Sequence, residues 1–192
     1  MKKIIILLLI ISTTVFAQIP QLLKDINAGP GSGMNPTNLL AGAIAYNGGL
    51  IFPANDGAGG SVLWFSNGTT TGTNKIIPVT TNTPITGTSF TLFKGRVLFT
   101  SGYNEIWITD GTNAGTYQIS AIPNLTLNTG FTIISNTAYF AATSPTNGQE
   151  IFKTDTVVGS ASILKDIWTG TPGSTPISIT DDNSGGFYFI AN

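Results

Sequence analysis

The stretch from residue 88 to residue 122 alternates short apolar runs with polar turns, and the runs have the length and the β-branched, aromatic character of strands. Lys94 and Gly95 separate the first two runs, as in a two-residue hairpin turn. A turn rich in Asp, Gly and Asn separates the third run from the fourth. The pattern predicts four sequential strands, at 89–93, 96–100, 105–109 and 116–122.

The same four-strand pattern recurs on both sides of this stretch. The preceding unit has predicted strands at 42–46, 50–54, 62–66 and 74–79. The following unit has them at 131–135, 137–142, 150–154 and 162–167. A last pair of runs, 177–180 and 186–191, matches the first two strands of a unit.

Two independent sequence markers give the repeat one period. An aromatic residue recurs in the third strand as Trp64, Trp107 and Phe152, at spacings of 43 and 45 residues. The sequence Leu-Lys-Asp-Ile occurs at 23–26 and again at 164–167, which is 141 residues, or three units, further on. Because a fixed period of this size is typical of propellers and other repeat arrays, the chain is predicted to be such an array.

The strands are apolar on both faces, which indicates how the units are arranged. In the third strand of the middle unit, Ile106 and Ile108 point to one side and Trp107 to the other. Sheets stacked radially cover both faces, whereas a sandwich leaves one face in water. The prediction is an all-β, β-propeller-like fold with four-stranded antiparallel blades of about 45 residues, three complete and one partial. A β-solenoid or a sandwich is the alternative.

The segment 105–116, EIWITDGTNAGT, resembles the ELWxxDGT repeat of secreted proteins from Bacteroidetes and related bacteria. The first unit departs from this motif at Val62 and Asn67, and the third lacks the Gly after Asp155. The resemblance implies long propeller-type arrays, with no enzymatic activity attached to the repeat itself. It also implies a C-terminal sorting domain in many family members, and residues 1–192 contain no such domain.

The N-terminal residues have the layout of a secretory signal peptide. Lys2 and Lys3 are followed by an apolar run at 4–11 and small residues at 12–17. We expect a signal peptide at 1–17, a repeat domain at 18–192, and a secreted or cell-surface location. A membrane anchor or a buried first strand is the alternative reading of the apolar run.

The last pair of predicted strands leaves two interpretations of the array. Residues 1–192 form either a fragment of a longer array or a small four-bladed ring. In the ring, residues 22–26 would be the closing strand and one strand would be missing. We favour the fragment as the expectation.

Composition and charge exclude several functions. Charged residues make up 9% of the chain, against the usual quarter, and there is no His and no Cys. Loss of Lys2 and Lys3 with the leader would leave six basic residues against nine acidic ones, a net charge of −3. This balance attracts neither nucleic acid nor an anionic membrane. No cofactor, no metal site and no membrane span are expected.

Carboxylates are the remaining acid-base groups, and six of the nine recur in equivalent positions. These pairs are Asp25 with Asp166, Glu105 with Glu150, and Asp110 with Asp155. A catalytic pair belongs in one site rather than once per unit, so these six are predicted to be structural. Five residues of the turns are predicted to stabilise them, the Asp and Asn side chains by hydrogen bonds to backbone amides and the Gly residues by adopting a positive φ. These residues are Asn67, Gly68, Asp110, Gly111 and Asp155.

The residues outside the repeat pattern are the candidate ligand contacts. Trp168 stands where the first Leu-Lys-Asp-Ile segment has Asn27, and an exposed Trp can stack on a sugar or pack in a core. Asp56, Asp181 and Asp182 lie in loops without the spacing of a calcium loop.

The leading hypothesis is a secreted or cell-surface, non-catalytic binding module for an extracellular glycan or protein. The alternatives are a purely structural array or a carboxylate-based propeller glycosidase. The oligomeric state stays open.

Overall fold

A computed structural model describes residues 21–33, 42–102, 104–120 and 122–192, and these residues form an all-β structure. The predicted signal peptide, 1–17, lies outside the described residues. Within the described ranges, no helix has the length and apolar character needed to cross a bilayer.

Three antiparallel sheets follow one another along the chain, each containing four strands paired in sequential order, with a fifth strand added in the third sheet. The first sheet contains β1 (Ile44–Tyr46), β2 (Gly49–Asn55), β3 (Ser61–Ser66) and β4 (Thr73–Lys75). The second contains β5 (Thr88–Phe93), β6 (Arg96–Ser101), β7 (Glu105–Thr109) and β8 (Tyr117–Gln118). The prediction of four-stranded antiparallel units is confirmed.

The third sheet carries one strand more than predicted. It contains β9 (Thr126–Leu127), β10 (Thr132–Ile134), β11 (Thr137–Ser144), β12 (Gly148–Thr154) and β13 (Ser162–Lys165). The order is β10-β11-β12-β13, and β9 pairs with β11 beyond the end of β10. A two-stranded hairpin of β14 (Ile177–Asp181) and β15 (Phe187–Ile190) comes last.

Three predicted strands are shorter in the structure or absent from it. The run at 74–79 forms only β4, because beyond Lys75 the Ile77 amide donates to Asn113 Oδ1 of the next sheet. The run at 116–122 forms only the two-residue β8, because the carbonyl of Ile106 accepts hydrogen bonds from the successive amides of Ile119 and Ser120 and so ends the regular ladder. The run at 22–26 forms no strand. Side chains hold it instead, since the Thr70 hydroxyl donates to the Leu23 carbonyl over 2.8 Å.

Each sheet has a front face that carries an aromatic cross-strand pair. These pairs are Phe52 with Trp64, Phe99 with Trp107, and Phe140 with Phe152. The opposite side of each sheet is its back face, with aliphatic residues such as Ile51 and Leu63 in the first sheet and Leu98, Ile106 and Ile108 in the second.

Successive sheets pack front face against back face. The Phe99 and Trp107 pair lies in one core cluster with Ile51 and Leu63 of the preceding sheet. The Phe140 and Phe152 pair lies in another with Leu98, Ile106 and Ile108. Burial of each large apolar side chain contributes about 1.5–3 kcal/mol, so these interfaces are a main source of stability. This is why both faces of each strand are apolar.

A polar contact repeats beside each apolar interface. The turn after the third strand bonds to the segment that follows the fourth strand of the preceding sheet. In the second sheet Asn113 accepts from the Ile77 amide over 2.9 Å, and in the third the Gly159 amide donates to the Ile119 carbonyl over 2.8 Å. The bond from Thr70 to the segment 21–26 is the corresponding contact of the first sheet. That segment therefore lies where the end of a preceding unit would lie.

Candidate functional site

A cleft of about 480 Å³ opens where the beginning of β5 lies near β9 of the next sheet. Its lining is rich in hydroxyl and amide groups. The described lining residues are Thr86, Thr88, Ser89, Thr100, Gly102, Leu127, Asn128, Thr129 and Gly130. None of them carries a charge.

One wall of the cleft comes from the β5–β6 hairpin. The hydroxyls of Thr88 and Thr100 face each other across the two strands at 2.8 Å. The strand register shifts between Thr88 and Thr91, and Ser89 adopts a φ of 55°, so a bulge forms here. Ser178 in β14 has the same conformation beside a similar register shift, which makes the bulge a feature of the repeated unit.

The other wall comes from the chain next to β9. The backbone N–H of Asn128 donates to the Ala141 carbonyl over 2.9 Å, and the Thr129 hydroxyl accepts from the backbone N–H of Ala141 over 2.9 Å. The Thr143 hydroxyl donates to Asn128 Oδ1, also over 2.9 Å. These bonds hold the Asn128 side chain by its oxygen and leave its Nδ2 group for another acceptor.

Several polar groups of the cleft have no protein partner among the described residues. They are the hydroxyls of Thr86 and Ser89 and the Nδ2 group of Asn128. Such groups can donate and accept hydrogen bonds, but none can transfer a proton near neutral pH. The cleft therefore offers uncharged hydrogen-bonding groups to a molecule that enters it.

The turn of the second sheet folds around the Asp110 carboxylate. Its Oδ1 accepts from the Thr112 amide over 3.0 Å and from the Thr112 hydroxyl over 2.6 Å. The Thr112 hydroxyl in turn accepts from the Gly115 amide over 3.0 Å. Gly111 has a φ of 84°, and a Cβ on Gly115 would lie 2.0 Å from the carboxylate. Both glycines are therefore required by the geometry of this turn.

The turn of the first sheet repeats this network with Asn67 in place of the Asp. Asn67 Oδ1 accepts from the Thr69 amide over 3.1 Å and from the Thr69 hydroxyl over 2.7 Å. Gly68 has the same φ of 84°, and a Cβ on Gly72 would lie 1.8 Å from Asn67 Oδ1. The contribution of Asn67, Gly68, Asp110 and Gly111 to stability stays a prediction.

Asp155 lies in a turn of different design. Its amide donates to the Ser160 hydroxyl over 3.0 Å, and its carboxylate accepts from the Thr156 amide over 2.6 Å. The same carboxylate pairs with Lys94 of the preceding sheet at 2.5 Å. This pairing lowers the pKa of Asp155 below its ordinary value. Asp155 therefore links two sheets in addition to bonding within its own turn.

The three carboxylates outside the repeat pattern are engaged locally. Asp56 pairs with Lys75, which lowers the pKa of the carboxyl below its ordinary value. Asp181 accepts from the Asn183 amide over 2.8 Å, and Asp182 accepts from the Ser184 amide over 2.8 Å. The latter bond lowers the pKa of Asp182. Within the ranges that the structure describes, no group of three acidic residues comes together as a metal site.

Trp168 begins a loop that a buried carboxylate holds in place. Glu150 is 0% exposed and accepts from the amides of Trp168 and Ser174 over 3.1 and 2.9 Å, and from the Ser174 hydroxyl over 2.6 Å. The Trp168 residue is 51% exposed, and neither it nor the three local carboxylates lines the cleft described above.

The equivalent residue in the second sheet, Glu105, has a different partner. Its Oε2 accepts from Trp107 Nε1 over 2.9 Å. The first sheet has Val62 at this position, and there the buried Nε1 of Trp64 has no hydrogen-bond partner. Glu105 and Glu150 are therefore equivalent in the repeat but have different partners. The residue two positions further on is the cause, because Trp107 has an N–H to donate to Glu105, whereas Phe152 has no donor for Glu150.

Sequence reasoning did not find the cleft. Its polar residues are Thr, Ser and Asn, which occur throughout this chain and carry no distinctive spacing. The available signal was the Thr-rich segment just before β5, TTNTPITG at 80–87.

No family model matches the chain, and no curated protein matches it. Among solved structures, the chain is similar to a puromycin hydrolase mutant crystallised in complex with PGG, with a TM-score of 0.48 and 19% sequence identity. The alignment covers 78% of this chain and 24% of the hydrolase, so the chain spans about a quarter of that protein's length.

Proposed function

We propose that this chain is an exported, non-catalytic binding module built from propeller-like repeats of the ELWxxDGT type. The support is the leader-like N-terminus together with the repeated DGT turn. Further support comes from the packing of successive four-stranded antiparallel sheets, front face on back face. Radial stacking of such sheets is the arrangement that covers both faces of every strand.

The ligand that we propose for the cleft is a neutral glycan. The observation that carries this proposal is the set of uncharged hydrogen-bonding groups without a protein partner, at Thr86, Ser89 and Asn128. A sugar offers hydroxyls that both donate and accept, and it carries no charge that would need a counter-ion. A volume of about 480 Å³ lies within the range of pockets that hold small ligands.

A binding role accounts for the acidic residues better than catalysis does. A glycosidase needs two carboxylates that face each other across the scissile bond. Here Asp56 is paired with Lys75, while Asp181 and Asp182 accept bonds from their own turn. No carboxylate is among the described residues of the cleft.

The test is a glycan array probed with the full chain, followed by calorimetric titration of the best neutral oligosaccharide. Asn128→Ala and Thr86→Ala should each weaken binding about three- to tenfold, the effect of one lost hydrogen bond between neutral groups. Thr126→Ala is the matched control, because Thr126 is exposed on β9 beside the cleft but is not among its lining residues.

Three results would refute the proposal. One is the absence of glycan binding by a well-folded chain, which would favour the structural-array interpretation. Another is binding that Asn128→Ala and Thr126→Ala affect equally, which would place the ligand elsewhere. The third is release of reducing sugar from the bound oligosaccharide, which would favour the glycosidase interpretation.

A further inference from the structure

The dipeptide Asn-Gly occurs three times in the chain, at 47–48, 67–68 and 147–148. Asparagine followed by glycine is prone to lose ammonia, because the next backbone nitrogen can attack the side-chain carbonyl carbon and glycine has no side chain to hinder its approach. The three copies share this local chemistry, so the structure around each of them decides which one reacts.

The copy at 67–68 is held by hydrogen bonds on both reacting groups. Asn67 Oδ1 accepts from the amide and from the hydroxyl of Thr69, over 3.1 and 2.7 Å. The Gly68 amide, which would be the attacking group, donates to the Ser66 hydroxyl over 3.2 Å. These bonds must break before the Gly68 nitrogen can reach the side-chain carbon of Asn67.

The copy at 147–148 is held by its side chain and by close packing of its backbone. Asn147 Nδ2 donates to Asp166 Oδ2 over 2.9 Å, and Asn147 Oδ1 accepts from the Thr146 hydroxyl over 2.7 Å. Gly148 is buried, and a Cβ on it would lie 2.6 Å from the backbone nitrogen of Gly173. The backbone therefore has no room to rotate towards the side chain.

The copy at 47–48 forms the exposed turn between β1 and β2. Asn47 and Gly48 have φ values of 47° and 72°, as in the two-residue turns that favour Asn-Gly. The Asn47 side chain has no hydrogen-bond partner among the described residues. No atom of the described residues lies within 4 Å of the position that a Cβ on Gly48 would take. Both reacting groups are therefore free to move once the turn opens.

The exposure of this turn is a property of the repeated unit and not of its place in the array. The equivalent turns of the second and third sheets, at 94–95 and 135–136, are also exposed. A sheet precedes each of them in the array, and it leaves the turn open to water.

We propose that Asn47 is a site of spontaneous deamidation. The Gly48 backbone nitrogen loses its proton and bonds to Cγ of Asn47, the Cγ–Nδ2 bond breaks, and Nδ2 takes up that proton and leaves as ammonia. Water then opens the resulting succinimide ring. Addition at Cγ gives aspartate, and addition at the backbone carbonyl carbon gives isoaspartate. The reaction consumes only water and changes no oxidation state.

The two products should affect the first sheet differently. Aspartate suits the same turn, whereas isoaspartate routes the chain through Cγ and adds a methylene group to the backbone. Tyr46 and Gly49 pair directly beside the turn, and the Tyr46 hydroxyl donates to the Gly95 carbonyl of the second sheet over 2.8 Å. A Cβ on Gly49 would lie 2.3 Å from the Ser66 carbonyl oxygen, so the hairpin has no room to shift. Isoaspartate should therefore weaken the contact between the two sheets.

The test is incubation of the full chain in warm, mildly alkaline buffer, followed by peptide mapping that resolves aspartate and isoaspartate from asparagine. In the folded chain, Asn47 should react about tenfold faster than Asn67 or Asn147, because at those two positions at least two hydrogen bonds must break first. In concentrated urea the three rates should become similar, because the structural differences between the copies are then lost.

Two variants serve as matched controls. Asn47→Lys copies the turn of the second sheet, where Lys94 and Gly95 have φ values of 49° and 70°, and it cannot lose ammonia at this position. After incubation, the wild-type chain should unfold at a lower urea concentration than before, whereas Asn47→Lys should be unchanged. Thr69→Ala releases Asn67 Oδ1 and should raise the rate at Asn67 about three- to tenfold.

A folded chain in which Asn47 reacts no faster than Asn67 or Asn147 would overturn the proposal. The same order of rates in urea would also overturn it, since the order would then come from the local sequence. Equal loss of stability in the incubated wild-type chain and in Asn47→Lys would show that the turn is not the cause. Asn47 is not among the described lining residues of the cleft, so glycan binding should be unaffected and the two proposals fail independently.

Discussion

The unpartnered indole of Trp64 leads to a prediction with a definite sign. Glu105 accepts from Trp107 Nε1 in the second sheet, whereas Val62 at the equivalent position of the first sheet leaves the buried Trp64 Nε1 without a partner. A side chain two residues earlier in a strand lies on the same face. Val62→Glu should therefore place a carboxylate beside the indole and stabilise the protein.

The magnitude follows from the hydrogen bond and its opposing costs. A buried donor without a partner costs about 1–3 kcal/mol, and a bond to a charged group contributes about 1.5–3 kcal/mol. Loss of the half-buried Val62 methyls and partial desolvation of the new carboxylate offset part of this gain. We expect a net stabilisation of about 1 kcal/mol, or about 2–4 °C in Tm for a domain of this size.

Urea denaturation at neutral pH measures the effect, with the mirror substitution Glu105→Val as its counterpart. Glu105→Val should destabilise by about 1–3 kcal/mol, because it leaves the Trp107 indole unpartnered. Val62→Gln separates the hydrogen bond from the attraction of the new charge to Lys24, whose ammonium lies 5.9 Å from the Trp64 ring centroid.

A double-mutant cycle decides whether the indole bond is the cause. Trp64→Phe in the Val62→Glu background should remove the gain, and the coupling between positions 62 and 64 should then be about 1 kcal/mol. The reasoning is refuted if Val62→Glu destabilises, or if its effect is the same with Phe at position 64.

Three further predictions concern the turns and acid stability. Asp110→Ala should lower the free energy of unfolding by about 1 kcal/mol through loss of its bonds to Thr112, whereas Asp110→Asn should change it little, as measured by urea titration. Gly115→Ala should destabilise by about 1–3 kcal/mol because its Cβ would overlap the Asp110 carboxylate, and Gly130→Ala, which has open space, is the control in the same assay. The hydrogen bond from the Ser184 amide lowers the folded-state pKa of Asp182 below its ordinary value, so the contribution of Asp182 to stability is present above the unfolded pKa and is lost as the pH falls through the folded pKa. Asp182→Asn should reduce the slope of Tm against pH below about pH 4, and an unchanged slope would contradict this assignment.

The strand predictions succeeded where a local pattern decides the structure. Strands β6 and β7 begin and end within one residue of the predicted bounds, because alternating apolar residues and the turn at Lys94 and Gly95 leave few alternatives. The strands predicted at 74–79 and 116–122 are shorter in the structure, and the segment 22–26, the closing strand of the ring interpretation, forms no strand. Partners distant in the chain decide these segments: Asn113 binds the end of the first, Ile106 ends the ladder of the second, and Thr70 holds the third.

The candidate ligand contacts show the same difference between what a local sequence pattern decides and what partners distant in the chain decide. Trp168 and Asp56 were singled out because they depart from the repeat, yet departure from a repeat does not place residues together. The structure ties Trp168 to Glu150 and Asp56 to Lys75, while Ser89 and Asn128, 39 positions apart, share a cleft. Such proximity arises from the stacking of two sheets.

The sequence by itself determined the β-class, the four-strand unit, its period and the DGT turn, because strand periodicity and turn chemistry act over a few residues. Only the tertiary structure decided which face of each sheet meets its neighbour, which polar groups stay without a partner, and which apolar faces remain uncovered. Those properties depend on how whole sheets pack, and the burial of a residue such as Leu98 differs from that of its equivalent Tyr188 only because a further sheet covers one of them.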